Sequence, residues 1–568
     1  MIEKKKIPIG IEDYKKIVDK DYYYADKTLL MKELLDVGGE VNLFTRPRRF
    51  GKTLAISMLK TFFECELDKD GNIIENRHYF HGKNIEKAGE QYMAHQGQYP
   101  VISMSLKSAK QPNYDMAYKS LLDEIAKEYT RHRYVLNSDV LSEASKKRYQ
   151  LIMDRAAESV ENAKALAFLS ECLYMYHGKK TIILLDEYDV PLENAHLHGF
   201  YSQMTDFIRS LFESALKTNA NLEFAVITGC LRISRESIFT GLNNLKIISI
   251  LNMDYAEYFG FTEREMEEML MAYGITDKSE EVQKWYNGYL FGKTKVYNPW
   301  SVINYVGTAI LDDRAFPKPY WSNTSSNSIV RELIERADAE AKQEIEELIE
   351  GHCIEKPIHE DITYEDVYKN QDNLWNFLFF TGYLKAEGQR FEVDTIYLQM
   401  SIPNDEVRYI YRNTIREGFQ EKMKNVDRTP LHTALLEGDC ETMVSVLRRQ
   451  LMESISYYDN SESFYHGYLL GLLNGIPDYV IRSNKEAGNG RPDIQLVPFE
   501  LKKTAYIIEI KRADSYAKME EKCEEALAQI ESQQYSEELK LEGYKDIVKY
   551  GICFCKKSCM VKKQGEAE

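Results

Sequence analysis

At 568 residues the chain is longer than one hydrophobic core sustains, so three or four domains are expected. Hydrophobic content of 44% with 29% charged residues is that of a folded protein, and no window nears the roughly 18 unbroken apolar residues that a membrane helix needs. A net charge of −17 excludes a protein that coats nucleic acid indiscriminately, while leaving room for a local basic groove.

The N-terminus, Met1 to Lys6, is basic with no apolar run behind it, so no secretory signal is read and a cytosolic location is expected. Val41–Phe44 is the first strand. The eight residues Arg46-Pro47-Arg48-Arg49-Phe50-Gly51-Lys52-Thr53 follow it, and the apolar repeat from Leu54 reads as a helix. Strand, tight loop, Gly-Lys-Thr and helix is the order of a phosphate-binding loop, in which helix N–H groups and dipole hold phosphates. Gly51 makes the turn, Lys52 reaches the β- and γ-phosphates, and the Thr53 hydroxyl holds Mg²⁺. Arg46 stands where the usual pattern has glycine.

Further strands are expected at Val101–Leu106, Thr181–Leu185, Leu222–Thr228 and Ile247–Leu251, with helices between them. Such alternation specifies a parallel sheet covered on both faces. Thr181–Leu185 ends in Asp186-Glu187-Tyr188-Asp189, which delivers adjacent carboxylates to the rim where open sheets bind ligands. Asp186 is assigned to Mg²⁺ and Glu187 to the attacking water. Thr228, at the end of the next strand, is placed as a γ-phosphate sensor. Arg232 beyond it is a sensor, a finger or only a salt bridge.

From residue 254 to 350 the pattern turns helical, with Glu263–Tyr273 and Arg331–Gly351 amphipathic. A helix at Val367–Phe380, two strands at Gly382–Ala386 and Thr395–Ile402 around a turn at Glu387–Arg390, and a helix from Asp405 are compatible with a winged-helix module. Leu431–Tyr457 is helical, and a different α/β pattern begins near Glu462.

There Asn489-Gly490-Arg491-Pro492-Asp493-Ile494 precedes the strand Thr504–Lys511, which puts Glu509 and Lys511 on one face by its period of two. Two carboxylates with an ammonium beside them can bind Mg²⁺ and position a water. His466 reads as a satisfied core histidine. Nine scattered cysteines argue against a disulfide framework. Cys553, Cys555 and Cys559 read as strand residues, without a clear fourth ligand for zinc.

Ile9–Tyr14, Tyr24–Thr28, Arg46–Thr53, Asp186–Asp189, Ile238–Asn244, Trp285–Tyr289 and Tyr297–Ser301 together resemble the AAA-ATPase-like family of bacterial proteins. That family's loop resembles Arg-Pro-Arg-Arg-Phe-Gly-Lys, so Arg46 and Arg49 are carried over as phosphate partners. Pro492-Asp493 with Glu509-Ile510-Lys511 resembles the PD-(D/E)XK nuclease superfamily. From that resemblance Glu462 is a further metal ligand and Gln529, in a Gln-Ile…Tyr helix, a residue flanking the site.

The expectation is an α/β protein divided as 1–250 (P-loop NTPase sheet), 251–350 (helical lid), 351–457 (helical or winged-helix linker) and 458–568 (restriction-endonuclease-like domain). It uses ATP and Mg²⁺ to hydrolyse nucleic acid, DNA first, with no membrane partner. A homo-oligomer is compatible, because ATPase sites of this class often complete themselves across a subunit interface. The alternative is a nucleotide-dependent switch whose nuclease fold binds a partner or nucleic acid without cutting.

Overall fold

The computed structural model describes residues 4–68, 71–231, 238–239, 241–322, 327–360, 371–424, 427–454, 462–483 and 492–565. The chain forms two compact units, one of residues 1–333 and 351–410, the other of 334–350 and 411–568.

The first unit is built on five parallel strands, β1 (Val41–Thr45), β2 (Val101–Ser105), β3 (Thr181–Asp186), β4 (Leu222–Gly229) and β5 (Leu245–Ile248). Their order is β2-β3-β4-β1-β5. β1 and β3 are buried along their whole length, as expected of apolar strands covered on both faces. All five strands share one direction, so their C-terminal ends open on one rim. β4 lies between the phosphate-loop strand and the strand that ends in Asp186. Thr45 pairs with Gly229 and Ser105 with Asp186, which fixes the heights of the strand ends.

Beyond the sheet, β6 (Phe261–Thr262), β7 (Tyr289–Phe291) and β8 (Thr294–Tyr297) form a small antiparallel sheet in the order β6-β8-β7. A second is made by β9 (Ile354–Ile358), β10 (Lys385–Glu392) and β11 (Thr395–Ser401), in the order β10-β11-β9. The expected ribbon is present, but its turn sits later. Val393, with φ 54°, turns the chain, while Gly388 marks an irregularity within β10. β9 was not expected, because Glu355 and Lys356 interrupt its apolar pattern. The helix Gln371–Phe380 is buried through Leu374, Trp375, Asn376, Phe377 and Leu378. Residues 367–370 of the expected helix lie outside the described residues.

The single helix expected over Arg331–Gly351 is two, Asn327–Arg336 and Ala339–Glu350. Leu431–Tyr457 likewise divides into Thr429–Glu437 and Cys440–Ser454, because Gly438 at φ 82° ends the first. β5 starts and ends earlier than the apolar run Ile247–Leu251 suggested.

In the second unit five strands, β12 (Tyr479–Ser483), β13 (Ile494–Pro498), β14 (Ala505–Arg512), β15 (Ile547–Cys555) and β16 (Ser558–Lys563), lie side by side in chain order. Only β14 and β15 run parallel, joined through the helix Met519–Ser532. One face packs Leu496, Ile508, Ile510 and Ile552 on Leu447, Leu469 and Leu472 of preceding helices. The other carries Ile507 and Val497 against Ile530, Tyr535 and Leu539. Gly551 lets the helix Met519–Ser532 approach, since a Cβ there would fall 2.4 Å from the Cys523 carbonyl oxygen. Among the described residues no helix is long and apolar enough to cross a membrane.

Candidate functional sites

The first site gathers at the rim of the five-stranded sheet. Gly51, at φ 85°, opens the helix Lys52–Phe63, and Arg49 also takes a left-handed conformation, at φ 68°. The Lys52 ammonium folds back to donate to the carbonyls of Arg46 at 2.9 Å and Pro47 at 3.0 Å, and lies 3.5 Å from the Cys230 sulfur. Thr53 Oγ1 donates to Asp186 Oδ2 at 2.8 Å, and Thr228 Oγ1 to Asp186 Oδ1 at 2.5 Å. A helix start and two adjacent strand ends are thus joined through one carboxylate. The Glu187 amide donates to Thr228 Oγ1 at 3.4 Å. Burial, then the neighbouring Asp186, raises the Glu187 carboxyl above its ordinary range, with Lys52 opposing.

A cleft of about 310 Å³ runs along this rim. Arg48, Arg49, Gly51, Lys52, Thr53 and Glu187 all reach its wall. Arg49 stacks over Trp300, 4.1 Å from the ring centroid. Arg46, expected on the phosphates, is elsewhere. It is fully buried, donates to the carbonyls of Thr45 and Ile248 at 3.0 Å, and lies over the rings of Phe291 and Phe259. Burial lowers its guanidinium to about 9. Arg46 therefore acts as a strut beneath the loop. Its backbone is not left-handed, so the glycine of the usual pattern is not required at this position. Arg232 lies outside the described residues.

Two further polar side chains at this rim went unassigned in the sequence. Arg48 pairs with Glu193 at the cleft wall. Asp189 is buried and accepts from the amides of Cys230 at 2.7 Å and Leu231 at 3.2 Å, holding the turn that follows Thr228. The repeated acid in Asp186-Glu187-Tyr188-Asp189 was the available signal for Asp189. For Arg48 it was membership of the loop itself.

The second site lies where β13 meets β14. The pairing of Ile494 with Ile508 brings Asp493 beside Glu509. The Asp493 amide donates to Glu509 Oε2 at 3.4 Å, and Asp493 Oδ2 accepts from the Ile510 amide at 2.8 Å. Lys511 Nζ stands 3.4 Å from Glu509 Oε1, and the Gln529 amide donates to the same oxygen at 2.5 Å. Asp493, Glu509, Lys511 and Gln529 therefore converge. Glu509 is buried, and that burial, reinforced by Asp493 and opposed by Lys511, pushes its carboxyl up to about 7. His466, read as a core histidine, is half-buried and touches this site through the Asp493 carbonyl at 2.9 Å and Ser483 Oγ at 3.0 Å. Glu462 begins the helix Glu462–Leu473, and its side chain lies outside the described residues.

The donors suit a hard divalent cation. Among the described residues no three His, Cys, Asp or Glu side chains form a metal cage. Mg²⁺, however, keeps several waters and is held by one or two carboxylates, which Asp493 with Glu509, and Asp186 with Thr53, can supply.

Residues 8–239 match the AAA-ATPase-like family, described as predicted AAA-ATPase, and residues 460–564 match the PD-(D/E)XK nuclease superfamily. The chain carries an AAA-ATPase-like domain and a PD-(D/E)XK nuclease superfamily domain. The five parallel strands fall largely within the first match, and the mixed sheet with Asp493, Glu509 and Lys511 within the second. Over 335 residues the chain is 28% identical to an uncharacterized protein in the vnfD 5′ region of Azotobacter chroococcum mcd 1. That alignment covers 59% of this chain and 57% of the relative's length. No solved structure matches.

Proposed function

We propose that this protein is a Mg²⁺-dependent nuclease acting on nucleic acid, DNA first, and controlled by an ATP-binding and ATP-hydrolysing domain. The observation that carries the reading is the convergence of Asp493, Glu509, Lys511 and Gln529 on one strand pair. Asp493 and Glu509 would hold Mg²⁺, joined by Glu462 from the helix that also brings His466 to the site. The bound ion would lower the pKa of a coordinated water and offset charge on the phosphodiester.

Each residue then has a distinct task. Glu509 must lose its proton to act as a ligand, and Lys511 assists by favouring its ionised form. The Lys511 ammonium is also placed to stabilise charge growing on the phosphate. Gln529 orients the Glu509 carboxylate through its amide. In the ATP site Lys52 would leave the carbonyls of Arg46 and Pro47 for the β- and γ-phosphates. Thr53 and Asp186 would hold Mg²⁺, Glu187 would take the proton of the attacking water, and Thr228 and Arg232 would respond to the γ-phosphate. The domains are proposed to divide near residues 250, 350 and 457, with the bacterial cytoplasm as the setting and a homo-oligomer as a permitted assembly.

A nuclease panel tests the reading: single- and double-stranded DNA and RNA, with Mg²⁺ or EDTA, and with or without ATP. The parent should cleave with Mg²⁺, Lys511→Ala should not, and Lys52→Ala should lose the response to ATP. A biological effect that survives Asp493→Ala but not Lys52→Ala would instead select the nucleotide-switch alternative.

A further inference from the structure

Arg48 lines the cleft together with Lys52, Glu187 and Asp189. The Cys230 sulfur sits 3.5 Å from the Lys52 ammonium and lines the same cleft as those four residues. Arg48 is therefore grouped with the lysine and carboxylates that would surround a terminal phosphate. Arg49, in the same cleft, stacks on Trp300. Arg48 is held by Glu193, a mostly buried carboxylate on the helix Val190–His198, which starts directly after Asp189.

We propose that Arg48 is a γ-phosphate contact supplied in cis, which exchanges Glu193 for the terminal phosphate when ATP occupies the cleft. The proposal rests on the ATPase reading above. A guanidinium suits this task because its planar fork matches phosphate oxygens and it stays charged. Lys110 lines the same cleft, and its charge, like that of Arg48, favours the ionised Glu193 carboxyl, so a cation remains near that carboxylate after the exchange. In hydrolysis a water oxygen bonds to the γ-phosphorus as the bond to the β,γ-bridging oxygen breaks. The electron pair leaves on ADP and the water's proton passes to Glu187. Arg48 would offset the charge shared by the γ-oxygens and the leaving oxygen. Because Glu193 belongs to the helix that follows Asp189, its release reports the γ-phosphate to that helix.

The test uses the full chain with Mg²⁺ and measures binding of a non-hydrolysable ATP analogue and of ADP by calorimetry, together with phosphate release. Arg48→Ala should bind the analogue at least tenfold more weakly, with ADP affinity within twofold of the parent, and turnover should fall at least about 10²-fold. Arg48→Lys should recover analogue binding but little turnover. Glu193→Gln should tighten the analogue several-fold and leave ADP unchanged, a gain that a purely structural ion pair would not give. Equal loss of both ligands in Arg48→Ala, or an unchanged ATP-to-ADP ratio in both Arg48→Ala and Glu193→Gln, overturns the proposal. If the parent turns over ATP, Lys52→Ala is inactive and Arg48→Ala is normal, the ATPase reading stands without this residue. A parent that binds neither nucleotide removes both.

Discussion

Replacing Glu509 by glutamine should stabilise the metal-free nuclease domain, by an amount set by pH. The carboxyl rises from 4.5 to about 7 in the fold, so the folded state binds a proton that the unfolded chain has already released. Below pH 4.5 both states are protonated and nothing is lost. Between 4.5 and 7 folding must retain that proton, and stability falls as pH rises. Above 7 the folded carboxylate is ionised in a buried site and the full cost applies. A carboxyl held at about 7 in place of 4.5 costs the ionised fold about 3 kcal/mol. Glutamine keeps an oxygen for Gln529 but loses the Lys511 contact, an offset of about 1 kcal/mol. The net gain is about 2 kcal/mol at pH 8, shrinking below about 1 kcal/mol at pH 5. Hydrogen exchange of the Ile507–Ile510 amides in the full chain, in EDTA, reads the opening of this domain directly. Slower exchange in Glu509→Gln at pH 8, converging with the parent at pH 5, is expected. No difference at pH 8, or one equal at both pH values, would refute the assignment of the strain to this carboxyl.

Glu187→Gln should keep ATP affinity near that of the parent while phosphate release falls at least about 10²-fold. The parent's own turnover should be lost as pH drops through the raised Glu187 value. Thr53→Ala and Asp186→Asn should each weaken Mg²⁺-dependent binding of ATP, measured by calorimetry at varied Mg²⁺, and leave nuclease-site variants unaffected. Gly551→Ala should cost about 1–3 kcal/mol in urea unfolding, because its Cβ would press on the Cys523 carbonyl. The same variant should lower DNA cleavage by displacing the helix that carries Gln529, and retained full cleavage would count against Gln529's role.

Long apolar strands were legible because their period and their end residues agree. Thr181–Leu185 could be only a buried strand, and its two terminal acids told which rim it served. Asp493, Glu509 and Lys511 were legible for a related reason: period-two alternation and a Pro turn leave little choice of face. What the sequence hid depends on side-chain direction. Arg46 and Arg48 stand two residues apart in the loop, yet one enters an aromatic core and the other meets Glu193 in the cleft. Nothing in a run of arginines distinguishes these fates. His466 was similarly ambiguous, because a histidine on an apolar helix is identical in sequence whether it meets a core or, as here, the backbone of Asp493. The break between Asn327–Arg336 and Ala339–Glu350 was missed since Ala337 and Asp338 do not interrupt the amphipathic repeat.

The placement of β4 between β1 and β3 has a wider consequence. Asp186 and Thr228 stand on adjacent strands, one strand spacing of about 4.8 Å apart, and Thr53 reaches the same carboxylate from the first turn of the helix Lys52–Phe63. The sheet sets the first two, and the start of that helix sets the third. Arg46 differs from the glycine-rich norm at the far end of the loop from Thr53, and its burial braces the loop against Thr45 and Ile248. Under the proposed function, such a scaffold would let the loop vary at its strand end while the Asp186 carboxylate keeps its two hydroxyl partners.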